Sequence, residues 1–194
     1  MNNIRKNIAD NGGSMSVKEL RQKTGNPYYG IRKAISDGEV VRVKPGVYML
    51  ADELADTMVD IERIIPGGVL CLYSAWEHHG LSTQVPTAFY VAVETHRRVV
   101  TPAIPAITLC YWGAKYCELG AVTKEIAGHK VRITDLEKSV CDAVKFRGKI
   151  GMDVCAEVFQ NYLRRKDKNI SKLMEYAAAM RISSVMKNYL DMWQ

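Results

Sequence analysis

The sequence predicts an α+β protein of two unequal parts: a small basic N-terminal module, then a larger mixed α/β domain ending in a helical tail. Three observations predict it. The chain carries 27 Lys+Arg against 21 Asp+Glu, a formal +6. Residues 1–50 hold nine of those basic residues and four of the acidic ones, so +5 of the excess sits in one quarter of the chain. That quarter has the apolar spacing of three short helices followed by a hairpin. Beyond it, strand-length apolar runs give way to helical spacing that continues to the end of the chain.

The elements of the first fifty residues follow in order. Ile4 and Ile8, four apart, give a first helix one buried face. Asn11-Gly12-Gly13 ends it, because glycine accepts the left-handed backbone of a helix terminus. Ser16-Val17-Lys18-Glu19 is a capping box, in which the Ser hydroxyl and the Glu carboxylate satisfy amides at the start of a second helix. That helix buries Val17 and Leu20 and exposes Lys18, Arg21 and Gln22. Thr24-Gly25-Asn26-Pro27 makes a turn, with Asn26 suited to cap a third helix and Pro27 to its first position. The third helix is expected over 27–37, with Tyr28, Ile31 and Ile35 inward and Tyr29, Arg32, Lys33 and Ser36 outward. Gly38 stops it. Val40 to Lys44, the turn at Pro45-Gly46, and Val47 to Leu50 form a β-hairpin with Arg42 and Lys44 on one face near its tip.

Helix, helix, turn, helix and hairpin are the order of a winged helix-turn-helix. In that module the third helix enters the major groove and the wing straddles phosphates. Its cationic faces are the electrostatic footprint of nucleic-acid binding; the bland alternative is a small interaction domain whose charges are merely solvated. Tyr29, Arg32 and Lys33 are the expected base readers, with Arg32 able to reach a guanine edge bidentately. Lys18, Arg21, Arg42 and Lys44 suit phosphates. Gln22, Asn26 and Ser36 complete the expected DNA-binding set. Tyr28 is assigned to the core rather than to contact.

The second part, 51–194, opens with a connecting helix expected over 51–66 that carries Leu54, Met58, Ile61 and Ile65 on one face. Val69 to Gly80 reads as a buried helix closed by Gly80. Strands are expected over 88–94, 106–111, 118–126 and 130–133. Thr134-Asp135-Leu136-Glu137 reads as a second capping box opening a helix to about Phe146. Three more helices follow, the last marked by Ile182, Val185, Met186, Tyr189, Leu190 and Trp193.

Catalytic chemistry is not expected, and neither is a metal or a cofactor. The five cysteines (71, 110, 117, 141 and 155) contain no C-x₂₋₄-C pair of the zinc-binding kind and read as reduced thiols. His78 and His79 point about 100° apart on a helix, so they do not share a site. Asp135, Glu137 and Lys138 superficially match a nuclease carboxylate–lysine set, but Glu137 is assigned to the cap. The Arg164-Arg165-Lys166-Asp167-Lys168 run reads as a solvated helix end, with a contact to nucleic acid or an acidic partner as the alternative. With 47% hydrophobic and 25% charged residues, the composition is that of a soluble globular chain. No apolar run reaches the ~18 residues of a membrane span. The N-terminus MNNIRKNIAD lacks a signal-peptide stretch, so a cytoplasmic location is expected.

The segments "VVRVKPGVYML", "LYSAWEHHGLSTQVPTAFYVAVET", "VRITDLEKSVCDAVKFRGKIG" and "KLMEYAAAMRISSVMKNYL" resemble the AbiEi antitoxin family, regulators from bacterial abortive-infection toxin–antitoxin systems. The resemblance spans almost the whole chain. It implies an N-terminal winged helix that represses the promoter of its own operon and a C-terminal domain needed for antitoxicity. The implied counterpart is a nucleotidyltransferase-like toxin, opposed without a stable complex in the so-called type IV arrangement. The implied DNA partner is an operator with inverted repeats, bound by two copies. By resemblance Tyr29, Arg32, Lys33, Arg42 and Lys44 fall in the recognition helix and wing. A stand-alone regulator of the same architecture and a DNA-processing nuclease are the rival readings.

Overall fold

The computed structural model describes residues 3–52, 61–102 and 105–193. The chain divides into two compact units, one running from the N-terminus through Gly68 with segments 98–107 and 124–131, the other holding 69–97, 108–123 and 132–194.

The first unit contains α1 (Asn3–Ala9), β1 (Ser14–Ser16), α2 (Val17–Thr24), α3 (Tyr28–Ser36), β2 (Val40–Lys44), β3 (Val47–Leu50) and α4 (Ile61–Ile64). Three antiparallel strands lie in the order β1-β3-β2, with Ser14 opposite Met49 and Val41 opposite the same residue on the other side. This is a winged helix-turn-helix. Ile4, Ile8, Met15, Leu20, Ile31, Ala34, Val40, Tyr48 and Leu50 form its core. The Ser16 capping box is present: Ser16 Oγ accepts from Glu19 N at 3.2 Å and the Glu19 carboxylate accepts from Ser16 N at 2.7 Å. The short strand β1 was not expected. Three residues, SMS, are too few to show an alternation, and the strand exists through its pairing with β3. The connecting-helix expectation falls largely on residues 53–60, Leu54 and Met58 among them, which lie outside the described residues.

One expectation for α3 is corrected. Ile31 and Ala34 are its buried residues, whereas Tyr28 is 50% exposed and Ile35 41% exposed. The inward stripe is therefore turned by about one residue from the predicted one. Gly30 shows why: a Cβ there would lie 2.6 Å from Ile4 Cγ1. The side of α3 that meets α1 must be small, and Gly30 and Ala34, four apart, supply that side.

The remaining elements are β4 (Val69–Leu70), α5 (Leu72–His79), β5 (Phe89–Glu94), β6 (Ile107–Trp112), α6 (Ala114–Glu118), β7 (Ala121–Ile126), β8 (His129–Thr134), α7 (Leu136–Ile150), α8 (Met152–Leu163), α9 (Ile170–Ala179) and α10 (Ser183–Trp193). Five strands form a mixed sheet in the order β6-β5-β4-β8-β7, with β4 antiparallel to β5 and parallel to β8. Val69 and Leu70 thus belong to a strand rather than to the expected helix, which begins at Leu72 and ends at Gly80 in the left-handed conformation. Glu118 closes the short helix α6 instead of opening a strand.

The core of the second unit gathers around α7, whose Val140, Cys141, Ala143 and Val144 are buried together with Trp76, Phe159, Tyr162 and Leu173. Trp76 Nε1 donates to the Ser139 carbonyl at 2.9 Å. α7 runs to Ile150, a turn beyond the expected end. Its cap is Asp135, which accepts from Lys138 N at 2.9 Å, while Thr134 ends β8. The predicted capping box is therefore displaced by one residue. Glu137 is not a cap; it accepts from Tyr162 Oη at 3.4 Å and from Asn169 N at 3.1 Å. Cys71, Cys117, Cys141 and Cys155 are buried, Cys110 is half-buried, and all five are unbridged. No helix is long and apolar enough to cross a membrane among the described residues.

Candidate nucleic-acid interface

The outward side of α3 carries no acidic residue. Tyr29 is 82% exposed, and Arg32, Lys33 and Ser36, which follow it at i+3, i+4 and i+7, are exposed with it. Because Tyr28 and Ile35 are exposed too, the face is broader than predicted and includes an aromatic ring and an aliphatic side chain beside the cations.

α2 presents Lys18, Arg21 and Gln22 to solvent. Its one acid, Glu19, is drawn away from that surface by Ser16 and by Arg63 Nη1, which donates to Glu19 Oε2 at 2.8 Å. Partial burial pushes the Glu19 pKa up, but hydrogen bonds from Ser16 and the nearby Arg63 outweigh it and leave the group below its ordinary value. The α2 carboxylate is thus already matched to a cation, and the exposed α2 charges are positive.

Asn26 caps α3 much as expected, its Oδ1 accepting from Tyr28 N at 3.3 Å. Pro27 already has helical dihedrals, so the helix begins one residue before its assigned start. The turn also brings Arg21 onto Tyr28: Arg21 Nη2 donates to the phenol oxygen at 3.3 Å, and the guanidinium carbon stands 5.7 Å from the ring centroid. Tyr28 is the residue that sequence spacing misassigned. A signal was available, since Pro27, Ile31 and Ala34 fit the same helical period as Tyr28, Ile31 and Ile35.

In the wing, Arg42 is exposed and Lys44 is half-buried. The β2–β3 register shifts between them, which breaks the alternation that would place both on one face. Lys44 Nζ donates to the Ile64 carbonyl at 2.7 Å, so this ammonium is tied within the first unit.

Of the nuclease-like trio, Asp135 and Glu137 share the Lys172 ammonium, at 2.9 and 3.7 Å, while the Lys138 ammonium is directed away from them to Asp142. Asp135 Oδ2 accepts from Tyr176 Oη and Lys172 Nζ, both at 2.9 Å. Glu137 faces Tyr162 and Asn169, and Lys138 is paired with Asp142. No group of three or more His, Cys, Asp and Glu that could hold a metal occurs among the described residues. His79 is buried with Nε2 2.7 Å from the Thr134 carbonyl, and His78 is exposed. In the basic run after α8, Arg165 pairs bidentately with Asp167 at 2.8 Å and donates to the His79 carbonyl.

Residues 3–51 match the family model described as transcriptional regulator, AbiEi antitoxin. The match is confined to the N-terminal module. The match covers α1 through β3, the elements that carry the exposed cations of this module. Among solved structures, the chain is similar to the RV2827C protein from Mycobacterium tuberculosis, with a TM-score of 0.65 and 10% identity. The likeness covers 90% of this chain and 70% of that one and, at such identity, is one of fold. No curated protein matches the sequence.

Proposed function

We propose that this protein is a DNA-binding repressor of its own operon and an antitoxin, with the AbiEi module docking α3 in the major groove. The observation that carries the reading is the acid-free outward face of α3, with Tyr29, Arg32 and Lys33 exposed on a module matched to a family of regulators. Arg32 reads a guanine edge; Lys18, Arg21 and Arg42 hold phosphates and set the register. Gln22, Asn26 and Ser36 line the same approach. Lys44 makes a lesser contribution, since the Ile64 carbonyl already takes one of its donors. Ile35, exposed beside Arg32, suits a thymine methyl.

Two copies bind the two halves of an inverted repeat, the arrangement that a two-fold-related operator requires. The second unit opposes a nucleotidyltransferase-like toxin without a stable complex, in the cytoplasm.

The test is a titration of the chain and of Arg32→Ala against the DNA upstream of its gene and against random DNA. Loss of a bidentate base contact weakens the specific complex by about 1–3 kcal/mol and the random complex less. Equal loss on both DNAs reduces Arg32 to a phosphate contact, and no preference for the upstream DNA removes the repressor reading. Co-expression with the adjacent toxin gene tests the antitoxin half.

A further inference from the structure

The second unit contains a cavity of ≈ 200 Å³ whose walls include Tyr111, Trp112, Tyr116, Phe146 and Met180. Trp112 ends β6, Tyr116 comes from α6, Phe146 from α7, and Met180 follows α9. Nothing in the regulator reading uses this place. Trp112 and Met180 are buried and close the inner end, whereas Tyr111 is half exposed. Lys145, one residue before Phe146 on α7, also lines the cavity and is exposed, so it stands with Tyr111 at the mouth. Trp112 and Phe146 stack with centroids 5.6 Å apart and planes 11° from parallel.

Of the charged residues that border the cavity, Lys138 and Asp142 are out of a ligand's reach. Their side chains have no exposure at all, and Lys138 Nζ donates to Asp142 Oδ1 at 2.5 Å, so each charge offsets the other. The Lys138 ammonium also stands 4.4 Å from the Trp112 ring centroid. The addressable charge is Lys145. Its Nζ donates to the Met180 carbonyl at 3.1 Å, which holds the ammonium against a residue of the cavity wall. An ammonium has three donors, so this bond leaves it able to donate to a ligand as well.

An aromatic wall with one reachable cation at its mouth selects a flat anion. A cationic ligand would meet Lys145 at the mouth and the Lys138 ammonium beside the indole. A neutral ring would cover the walls and gain little from Lys145. A carboxylate takes a charge-assisted hydrogen bond from it, while the attached ring packs on the aromatic side chains. The one acid among the described lining residues, Asp142, is already matched by Lys138 and opposes an anion weakly. We infer that the cavity binds a small aromatic carboxylate, its ring packed against Tyr116 and Phe146 and its carboxylate accepting from Lys145 Nζ.

The probes are benzoate, benzyl alcohol, benzylamine and acetate, which vary the charge and the ring separately. Each is titrated at neutral pH into the full chain while the indole N–H resonances are followed by NMR. Saturable shifts at Trp112 with benzoate, and binding at least about fivefold weaker with benzyl alcohol, support the inference, as a partly exposed charge-assisted bond requires. An equal loss of benzoate affinity in Lys145→Met, with benzyl alcohol binding unchanged and the fold checked by circular dichroism, supports it further. The ligand series keeps the test decisive on the unaltered protein if that variant does not fold. No saturable Trp112 shift with benzoate overturns the proposal, and so does unchanged benzoate binding by a folded Lys145→Met. Benzyl alcohol or benzylamine binding as tightly as benzoate overturns the anionic class, and acetate doing so overturns the need for a ring.

Discussion

Arg21 and Tyr28 meet across the turn between α2 and α3, the guanidinium donating to the phenol at 3.3 Å and lying 5.7 Å from the ring centroid. The contact joins the last turn of one helix to the first turn of the next on the face proposed to meet DNA. It also makes a core role for Tyr28 testable. A buried aromatic ring costs about 3–5 kcal/mol when cut to alanine, whereas an exposed cation–π contact is worth about 0.5–1 kcal/mol. Tyr28→Ala is therefore expected to lower unfolding stability by about 1 kcal/mol or less, and to weaken DNA binding. Tyr28→Phe keeps the ring and should bind nearly as the parent does. Urea unfolding and fluorescence anisotropy read the two effects separately, and a core-sized stability loss would return Tyr28 to the interior.

The wing separates its two cations. Arg42 is exposed, while Lys44 donates to the Ile64 carbonyl. Arg42→Ala should flatten the plot of log K against log salt by about 0.9 for one lost phosphate contact, with stability unchanged. Lys44→Ala should instead lower stability by about 1 kcal/mol and flatten the plot less. A slope unmoved by Arg42→Ala would take the wing out of the interface.

The capping box at Ser16 couples α2 to pH. Ser16→Ala should cost about 1 kcal/mol, the usual value of a lost N-cap. Glu19 titrates below its ordinary 4.5 because Ser16 and Arg63 favour the ionised form more than burial disfavours it. A lowered carboxylate pKa means the unfolded chain binds more protons than the folded one in that window. The stabilisation is thus complete above the unfolded value and is lost as pH falls through the folded one. The stability gap between the parent and Glu19→Gln should be full at neutral pH and shrink by about pH 3. Denaturation midpoints of both proteins at the two pH values check it; a constant gap would mean that the carboxylate charge contributes nothing.

The buried Lys138–Asp142 pair predicts a strong non-additivity. Asp142→Leu leaves an unpaired ammonium with no exposure, and Lys138→Met leaves an unpaired carboxylate. Each single change should cost about 3–5 kcal/mol. The double change removes both charges and should cost less than the sum. A double-mutant cycle by denaturant unfolding reads the coupling; additive losses would show that the two charges do not support each other.

What the sequence determined by itself is local. Residues within four of one another specified the Ser16 capping box, the Asn26 cap, the glycine stops and the hairpin at Pro45-Gly46, because caps and turns are satisfied by near neighbours in the chain. The charge excess of the first fifty residues was equally legible, since charge needs no fold to be counted. The tertiary structure decided what depends on distant partners. Tyr28-Ile31-Ile35 and Pro27-Ile31-Ala34 are both helical stripes, and only the approach of Ile4 to Gly30 selects the second. Strands β1 and β4, three and two residues long, exist through pairing with β3, β5 and β8 rather than through any pattern of their own. Lys44 looked like a free wing cation until the fold carried it to Ile64, twenty residues away. Lys138 and Asp142 lie four apart on α7, a spacing that serves equally for a helix-surface ion pair, and packing around α7 took both out of water. Spacing says which residues share a face; the free energy of burial, settled among elements far apart in the chain, says which face goes inside.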